Sequence, residues 1–143
     1  DAGIPHAYLE GQNMELMANS DNVLRGGLTP KHVDVPELLK HVAFEETVPN
    51  IMQGNLQNDG IERIYKTPAP DFELSKIDLK KSDTYQNKAK TAQILIVIDG
   101  EAKITSDDKV LNINKGGSVF LEANCKYSIS SQSNATLYKA TAP

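Results

Sequence analysis

The sequence has one cysteine, Cys125, no tryptophan, and only 6% aromatic residues in a chain of 143. A single cysteine can form neither an internal disulfide nor a multi-thiolate zinc site, and such sparse use is typical of intracellular proteins. The longest strongly apolar run covers residues 94–98, whereas a helix needs about 20 apolar residues to span a bilayer. We therefore expect a soluble, cytoplasmic protein with no membrane partner.

Positive charge is also scarce, with 15 Lys and Arg residues against 19 Asp and Glu and a net charge of −4. Nucleic-acid-binding proteins carry basic surfaces, so we expect no nucleic-acid partner. The charge is uneven, because residues 1–60 contain three bases and nine acids and residues 61–143 contain twelve bases and ten acids. This shift predicts two units, residues 1–47 and 61–143, with the Asn-, Gln- and Gly-rich residues 48–60 as a connector.

Residues 61–143 have the pattern of a mainly β unit. Strands are predicted at 71–79, 93–98, 101–105, 110–113, 118–121, 126–130 and 136–139. Their spacing, and turn signals such as Asp99-Gly100, indicate a β-sandwich or barrel. A change of apolar phase within 71–79 predicts a bulge or bend there. The apolar residues Ile94, Ile96, Ile98, Val119 and Leu121 are predicted to lie inside.

Residues 1–47 are predicted to contain one short helix. Asp34 is a favourable N-cap, Pro36 suits the first turn, and Glu37 lies three residues after the cap. The segments 14–17 and 23–24 are candidate strands. His32 and His41, on either side of the helix start, are predicted to be surface residues.

Three residues in this part could carry chemistry. His6 could ligate zinc, but one histidine is a weak signal, and the residues alone favour a structural or solvent-exposed role. Arg25 precedes Gly26 and Gly27, and its guanidinium suits a phosphate or a developing oxyanion, or a surface salt bridge. Asp21 lies among turn-forming residues, where a carboxylate also forms local backbone hydrogen bonds. The residues alone leave these alternatives open.

A longer pattern carries a family resemblance. Residues 5–31 are PHAYLEGQNMELMANSDNVLRGGLTPK. This segment closely resembles the signature of type I mannose-6-phosphate isomerases, which runs PHAYLxG, ExMAxSDN and VxRxGLTPK. Residues 34–39, DVPELL, resemble the helix that follows in that family. The later segments VIDGEAKI and KGGSVFLEA resemble its C-terminal cupin domain.

The resemblance implies a zinc-dependent aldose–ketose isomerase that interconverts mannose 6-phosphate and fructose 6-phosphate. The family's zinc is held by a Gln, two His and a Glu, and the histidine of the PHAYL motif corresponds to His6. The catalytic arginine corresponds to Arg25. The motif positions corresponding to Asp21 and Lys31 are expected to assist catalysis, and those corresponding to Tyr8 and Glu15 are expected to line the substrate pocket.

The resemblance also implies a fold and a size. We expect a cupin-like jelly-roll β-sandwich with one short helix, preceded in residues 1–47 by a partial segment of the catalytic cupin. The chain is expected to be the C-terminal part of the isomerase, without three of the four zinc ligands. We therefore expect the chain alone to be inactive and to bind no zinc stably. Exposed strand edges in residues 1–30 would favour self-association. The alternative is a non-catalytic cupin that acts as a binding or interaction module.

Overall fold

The structure is a computed structural model that describes residues 3–19, 23–46, 48–107 and 109–143. The chain divides into two compact units, Asp1–Asn50 and Ile51–Pro143. The boundary falls inside the segment 48–60 that the sequence predicts to be a connector. Among the described residues, no helix is long and apolar enough to cross a membrane.

The predicted helix is present in the first unit as α1 (Val35–His41). The Asp34 side chain accepts a hydrogen bond from the Glu37 backbone N–H at 2.9 Å, which satisfies one of the free donors at the helix start. The helix ends where the Val42 N–H donates to the Leu38 carbonyl. It has seven residues, and none of them is buried.

The strands predicted at 14–17 and 23–24 are wrong, because no strand forms among residues 3–19 and 23–46. Apolar residues in these segments remain exposed, including Met17 at 59% and Val23 at 49%. A strand is stable only when a neighbour pairs with its backbone, and the described part of this unit supplies no such neighbour. The unit is held together instead by isolated contacts, such as the hydrogen bond from the Ala43 N–H to the Gly3 carbonyl at 2.9 Å.

The described strands of the second unit all pair antiparallel. They are β1 (Asn55–Leu56), β2 (Glu62–Tyr65), β3 (Glu73–Leu79), β4 (Thr84–Lys88), β5 (Gln93–Asp99), β6 (Glu101–Ser106), β7 (Lys109–Asn114), β8 (Ser118–Leu121), β9 (Lys126–Ser130) and β10 (Ala135–Thr141). One sheet has the order β1-β2-β3-β10-β5-β8 and the other the order β4-β9-β6-β7. The inner faces of both sheets contribute to one hydrophobic cluster. The prediction of a mainly β sandwich with one short helix is therefore confirmed.

The prediction of which β5 side chains face the core is wrong. Leu95 and Val97 are fully buried, whereas Ile94 is 52% exposed and Ile96 and Ile98 are half-buried. Alternate side chains of a strand point to opposite faces, so an unbroken apolar run does not indicate which set faces the core. The prediction is confirmed for Leu121, which is buried.

The bulge predicted in β3 is also absent. Its pairing with β10 continues without interruption from Glu73 to Leu79. The phase change arises because Leu74 lies on the outer face, whereas Ile77 and Leu79 face the core. The register shift of this sheet lies elsewhere, between Thr136 and Leu137 where β10 pairs with β5.

The Asp99-Gly100 turn forms, but it does not join two paired strands. It carries the chain from β5 in one sheet to β6 in the other. Gly100 has a φ of +76°, and a Cβ atom there would lie 2.4 Å from the Asn134 carbonyl oxygen. Glycine is therefore required by both conformation and space.

Candidate functional site

The first unit contains an open cleft of about 1280 Å³. Two of the residues singled out by the sequence, His6 and Arg25, both line it, although they are 19 positions apart. The other polar side chains of the lining belong to Thr29, Glu37 and His41. The structure thus places an imidazole and a guanidinium at one concave surface.

His6 is oriented by its own backbone environment. Its Nδ1 lies 3.0 Å from the Ile4 carbonyl oxygen, which can only accept, so Nδ1 carries the proton. The ring of Tyr8 meets the imidazole edge-on, with 6.0 Å between centroids and 68° between planes. A histidine that donates one ring N–H to a carbonyl presents its other nitrogen as a free lone pair, as metal-ligating histidines do.

Arg25 is half-buried, and its Nη1 donates to the Val23 carbonyl oxygen at 3.2 Å. It forms no ion pair with a carboxylate in the described part of the chain. The glycine that follows, Gly26, lies close to the helix, since a Cβ atom there would be 3.3 Å from Leu38 Cδ2. Because Arg25 has no carboxylate partner among the described residues, its guanidinium keeps N–H groups that can bind an anion.

Other sequence candidates lie outside this arrangement. Lys31 and Glu15 are exposed and do not line the cleft, and the Lys31 contact is its backbone N–H to Thr29 Oγ1 at 3.2 Å. Tyr8 is 66% exposed and contacts only the edge of the His6 ring among described aromatic groups. Asp21 lies outside the described residues.

The helix contributes a charged group that sequence reasoning had not assigned to the cleft. Glu37 contacts Lys40 at 2.6 Å and His41 at 3.1 Å. These hydrogen bonds, first to Lys40 and then to His41, lower the pKa of the Glu37 carboxyl. The signal was available in the i, i+3 and i, i+4 spacing, but nothing in the sequence placed this helix face at the cleft.

A complete metal site is not formed by the described residues, which contain no group of three or more His, Cys, Asp or Glu side chains placed to hold an ion. Catalytic zinc sites use about three protein ligands. His6 has the donor geometry of one such ligand, and the described residues do not complete a group of three around it.

The second unit contains a buried polar network that sequence reasoning missed. Lys139 Nζ lies 2.6 Å from Glu62 Oε1 and donates to the Tyr85 hydroxyl at 3.1 Å. The Tyr85 hydroxyl in turn donates to Glu62 Oε2 at 2.8 Å. Lys139 and Glu62 lie on one sheet and Tyr85 on the other, so these bonds cross the interior of the sandwich.

Three more residues extend the network. The Tyr127 hydroxyl donates to Gln93 Oε1 at 2.8 Å, and the Asn87 amide donates to the Tyr85 hydroxyl at 2.8 Å. Burial raises the pKa of both Tyr85 and Tyr127. These polar side chains bond to one another beside the hydrophobic core, and the cleft of the first unit remains the better candidate site.

Comparison with known proteins agrees with this fold. Residues 62–136 match the family model described as mannose-6-phosphate isomerase, cupin domain. The chain is 41% identical over 123 residues to mannose-6-phosphate isomerase of Escherichia coli, and 38% identical over 132 residues to the mouse enzyme. The structure superposes with a TM-score of 0.73 on the apo mannose 6-phosphate isomerase of Salmonella typhimurium, at 34% identity, over 88% of this chain and 32% of that one.

The chain therefore belongs to the mannose-6-phosphate isomerase family, and its β-sandwich is the family's cupin domain. The matches to the bacterial and mouse enzymes cover 86% and 87% of this chain but only 31% of each relative. The chain thus spans about a third of the length of these relatives. The sequence resemblance and the predicted cupin fold are confirmed.

Proposed function

We propose that this chain supplies part of the active site of an aldose–ketose isomerase that interconverts mannose 6-phosphate and fructose 6-phosphate. The observation that carries the proposal is the shared cleft of His6 and Arg25, within the segment that resembles the family signature. Residues 1–47 then belong to the catalytic cupin, and 61–143 form a second cupin. Because the relatives are about three times longer, the remaining catalytic residues belong to polypeptide outside this chain.

His6 is proposed to be one ligand of the zinc ion that the family resemblance implies. Its Nδ1 proton is held by the Ile4 carbonyl, which leaves Nε2 available. When bound, zinc supplies Lewis-acid stabilisation of negative charge on substrate oxygen atoms. The described chain contributes too few ligands for a site, so the chain alone is expected to bind no zinc stably and to be inactive.

Arg25 is proposed to stabilise the negative charge that develops on the sugar as a proton moves between neighbouring carbons. A guanidinium is suited to this role, because it stays charged and requires no proton transfer. The hydrogen bond from Arg25 Nη1 to the Val23 carbonyl oxygen restrains the guanidinium, and preorganised donors of this kind favour such catalysis.

The remaining assignments follow the motif correspondence. Asp21 would position Arg25, Lys31 would contact the phosphate or polar rim of a hexose 6-phosphate, and Tyr8 and Glu15 would line the substrate pocket. Lys31 and Glu15 do not line the cleft, so these roles require the additional polypeptide to extend the site towards them. Such an enzyme of sugar metabolism is proposed to act in the cytoplasm.

The test is a chimera in which the matched region of the Escherichia coli enzyme is replaced by this chain. The expected result is zinc-dependent conversion of mannose 6-phosphate to fructose 6-phosphate, with no activity for this chain or for the bacterial remainder separately. A folded, zinc-loaded chimera without isomerase activity would refute the proposal and favour the binding-module alternative.

A further inference from the structure

The dipeptide Asp-Gly occurs twice in the chain, at Asp59-Gly60 and at Asp99-Gly100. In such a pair the backbone nitrogen of the glycine can attack the side-chain carboxyl carbon of the aspartate, because glycine has no side chain to obstruct the approach. The attack closes a cyclic succinimide. It requires that the carboxyl group and the glycine N–H are both free to move, and the two pairs differ in this respect.

Both reacting groups are restrained at Asp59-Gly60. Asp59 Oδ1 accepts hydrogen bonds from the backbone N–H groups of Ile61 at 2.8 Å and Glu62 at 3.0 Å. The Gly60 N–H donates to the Gln57 carbonyl oxygen at 3.0 Å. Bonds of this kind, from an aspartate to the backbone that follows it, fix a local turn. Ring closure would have to break all of them, so this pair is protected.

Both reacting groups are free at Asp99-Gly100. The Asp99 side chain is 75% exposed, and its one ion pair within the described chain is with Lys115 at 3.8 Å. An exposed contact of this length restrains a carboxylate only weakly. The Gly100 N–H donates to no backbone carbonyl among the described residues. The carboxyl group and the nitrogen that must meet it are therefore both available.

The main chain can also rearrange at this point. Asp99 is the last residue of β5, where it pairs with Thr136, and the register of β10 against β5 shifts directly after that pair. The end of a strand opens more readily than its centre. Gly100 follows outside the strands with a φ of +76°. The rotation that brings the Asp99 side chain to the Gly100 nitrogen thus disturbs only the last pair of the ladder.

We propose that Asp99 is a site of spontaneous modification, at which it converts through a succinimide into isoaspartate. The Gly100 nitrogen bonds to Asp99 Cγ, and the amide proton leaves with the carboxyl OH as water. Addition of water then opens the ring in either of two ways. Breaking the Cγ–N bond restores aspartate, and breaking the bond from the main-chain carbonyl carbon to the nitrogen gives isoaspartate. Water is the only co-reactant.

The product has a structural consequence, because isoaspartate adds a methylene group to the main chain directly before Gly100. There is little room for it, since a Cβ atom on Gly100 would already lie 2.4 Å from the Asn134 carbonyl oxygen. The Gly100 carbonyl also accepts a hydrogen bond from the Lys115 N–H at 3.1 Å. The modification therefore displaces the turn that joins the two sheets and lowers the stability of the cupin domain. It uses no residue of the cleft and does not depend on isomerase activity.

The test is incubation of the folded 143-residue chain in mildly acidic buffer, well below its unfolding temperature. Peptide mapping with electron-transfer fragmentation distinguishes isoaspartate from aspartate and detects the succinimide as a peptide lighter by one water. Isoaspartate at residue 99 should exceed that at residue 59 by at least about tenfold, since three hydrogen bonds protect the Asp59 turn. In urea, where both turns are unfolded, the two sites should react at comparable rates.

The matched variant is Asp99→Glu. It keeps the charge, but its longer side chain disfavours ring closure, so no isoaspartate should form at residue 99 and the amount at residue 59 should stay unchanged. Equal amounts at the two sites of the folded chain would overturn the proposal. So would the absence of product at Asp99 in the folded chain when the urea-unfolded chain forms it. The modified fraction, separated by chromatography, should unfold at a lower temperature, and an unchanged temperature would refute the structural consequence.

Discussion

Lys139 and Glu62 form an ion pair inside the β-sandwich, with 2.6 Å between Nζ and Oε1 and side-chain exposures of 6% and 8%. Lys66 and Glu73 form a pair of the same length at the surface, where the lysine side chain is 64% exposed. The two pairs differ in solvent access and not in distance. Comparing variants of the two pairs therefore measures how burial changes the contribution of an ion pair to stability at a constant N–O distance.

Removing one partner of the buried pair should be costly. Lys139→Met leaves Glu62 charged and unpaired in the interior, so the free energy of unfolding should fall by about 3–5 kcal/mol. Lys66→Met should cost less than about 1 kcal/mol. Urea denaturation followed by circular dichroism measures both. Adding Glu62→Leu to Lys139→Met should recover part of the loss, and equal costs for the two lysine variants would contradict the account.

The buried hydroxyl groups of Tyr85 and Tyr127 predict that the protein becomes less stable at alkaline pH. Burial raises the pKa of Tyr85 and Tyr127 above the ordinary value of about 10. Their contribution to stability is therefore complete below pH about 10 and is lost as the pH rises further, because the unfolded chain releases these protons first. Urea unfolding at pH 8 to 11.5 should show this decline. In Tyr85→Phe the decline should be shallower, and an unchanged slope would show that Tyr85 does not cause it.

The turn from β5 to β6 carries the chain from one sheet to the other. We predict that replacing glycine by alanine destabilises the protein more in this turn, at Gly100, than at Gly116. Gly100 and Gly116 have similar φ angles, +76° and +83°, but an added Cβ atom meets the Asn134 carbonyl at 2.4 Å in the first case and nothing within 4 Å in the second. Both Ala variants incur backbone strain, on the order of 1–2 kcal/mol, and only Gly100→Ala adds a clash. Thermal unfolding should show a clearly larger loss for Gly100→Ala, and comparable losses would be evidence against the steric argument.

The features predicted correctly from the sequence depend on local chemistry. The cap formed by Asp34 and Glu37 lies within four residues, and the turn at Gly100 requires a positive φ that glycine supplies. The family signature singles out His6 and Arg25, which both line the cleft of the first unit, and their roles there stay predictions. The chemistry that makes each of these recognisable is contained in a short stretch of chain.

The failures depend on neighbours that are distant in the chain. Which face of β5 is buried depends on the sheet opposite, so Leu95 and Ile94 could not be distinguished by composition. The segments 14–17 and 23–24 have strand-like residues but no described strand beside them. Lys139 becomes a buried residue only because Glu62 and Tyr85 converge on it from two other strands, and no spacing in the sequence indicates that convergence.

The metal role of His6 can be separated from the charge role of Arg25. In the chimera with the Escherichia coli enzyme, His6→Ala should lose zinc and activity together, because a ligand is removed. Metal analysis after dialysis, with activity measured on the same samples, tests this. His41→Ala, a second histidine of the same cleft, is the matched control and should retain zinc. Full zinc content in His6→Ala would contradict the ligand assignment.

Steady-state kinetics of Arg25→Ala in that chimera, with zinc content measured alongside, tests the central claim most directly. If Arg25 stabilises charge present only in the transition state, kcat should fall by about 10²–10³ while KM changes little and zinc is retained. Lysine should restore the rate poorly, and Arg63→Ala, which removes the one other arginine of the chain, should leave kcat near that of the parent chimera. An Arg25→Ala enzyme that turns over at nearly the parent rate, or that loses its zinc, would contradict the account.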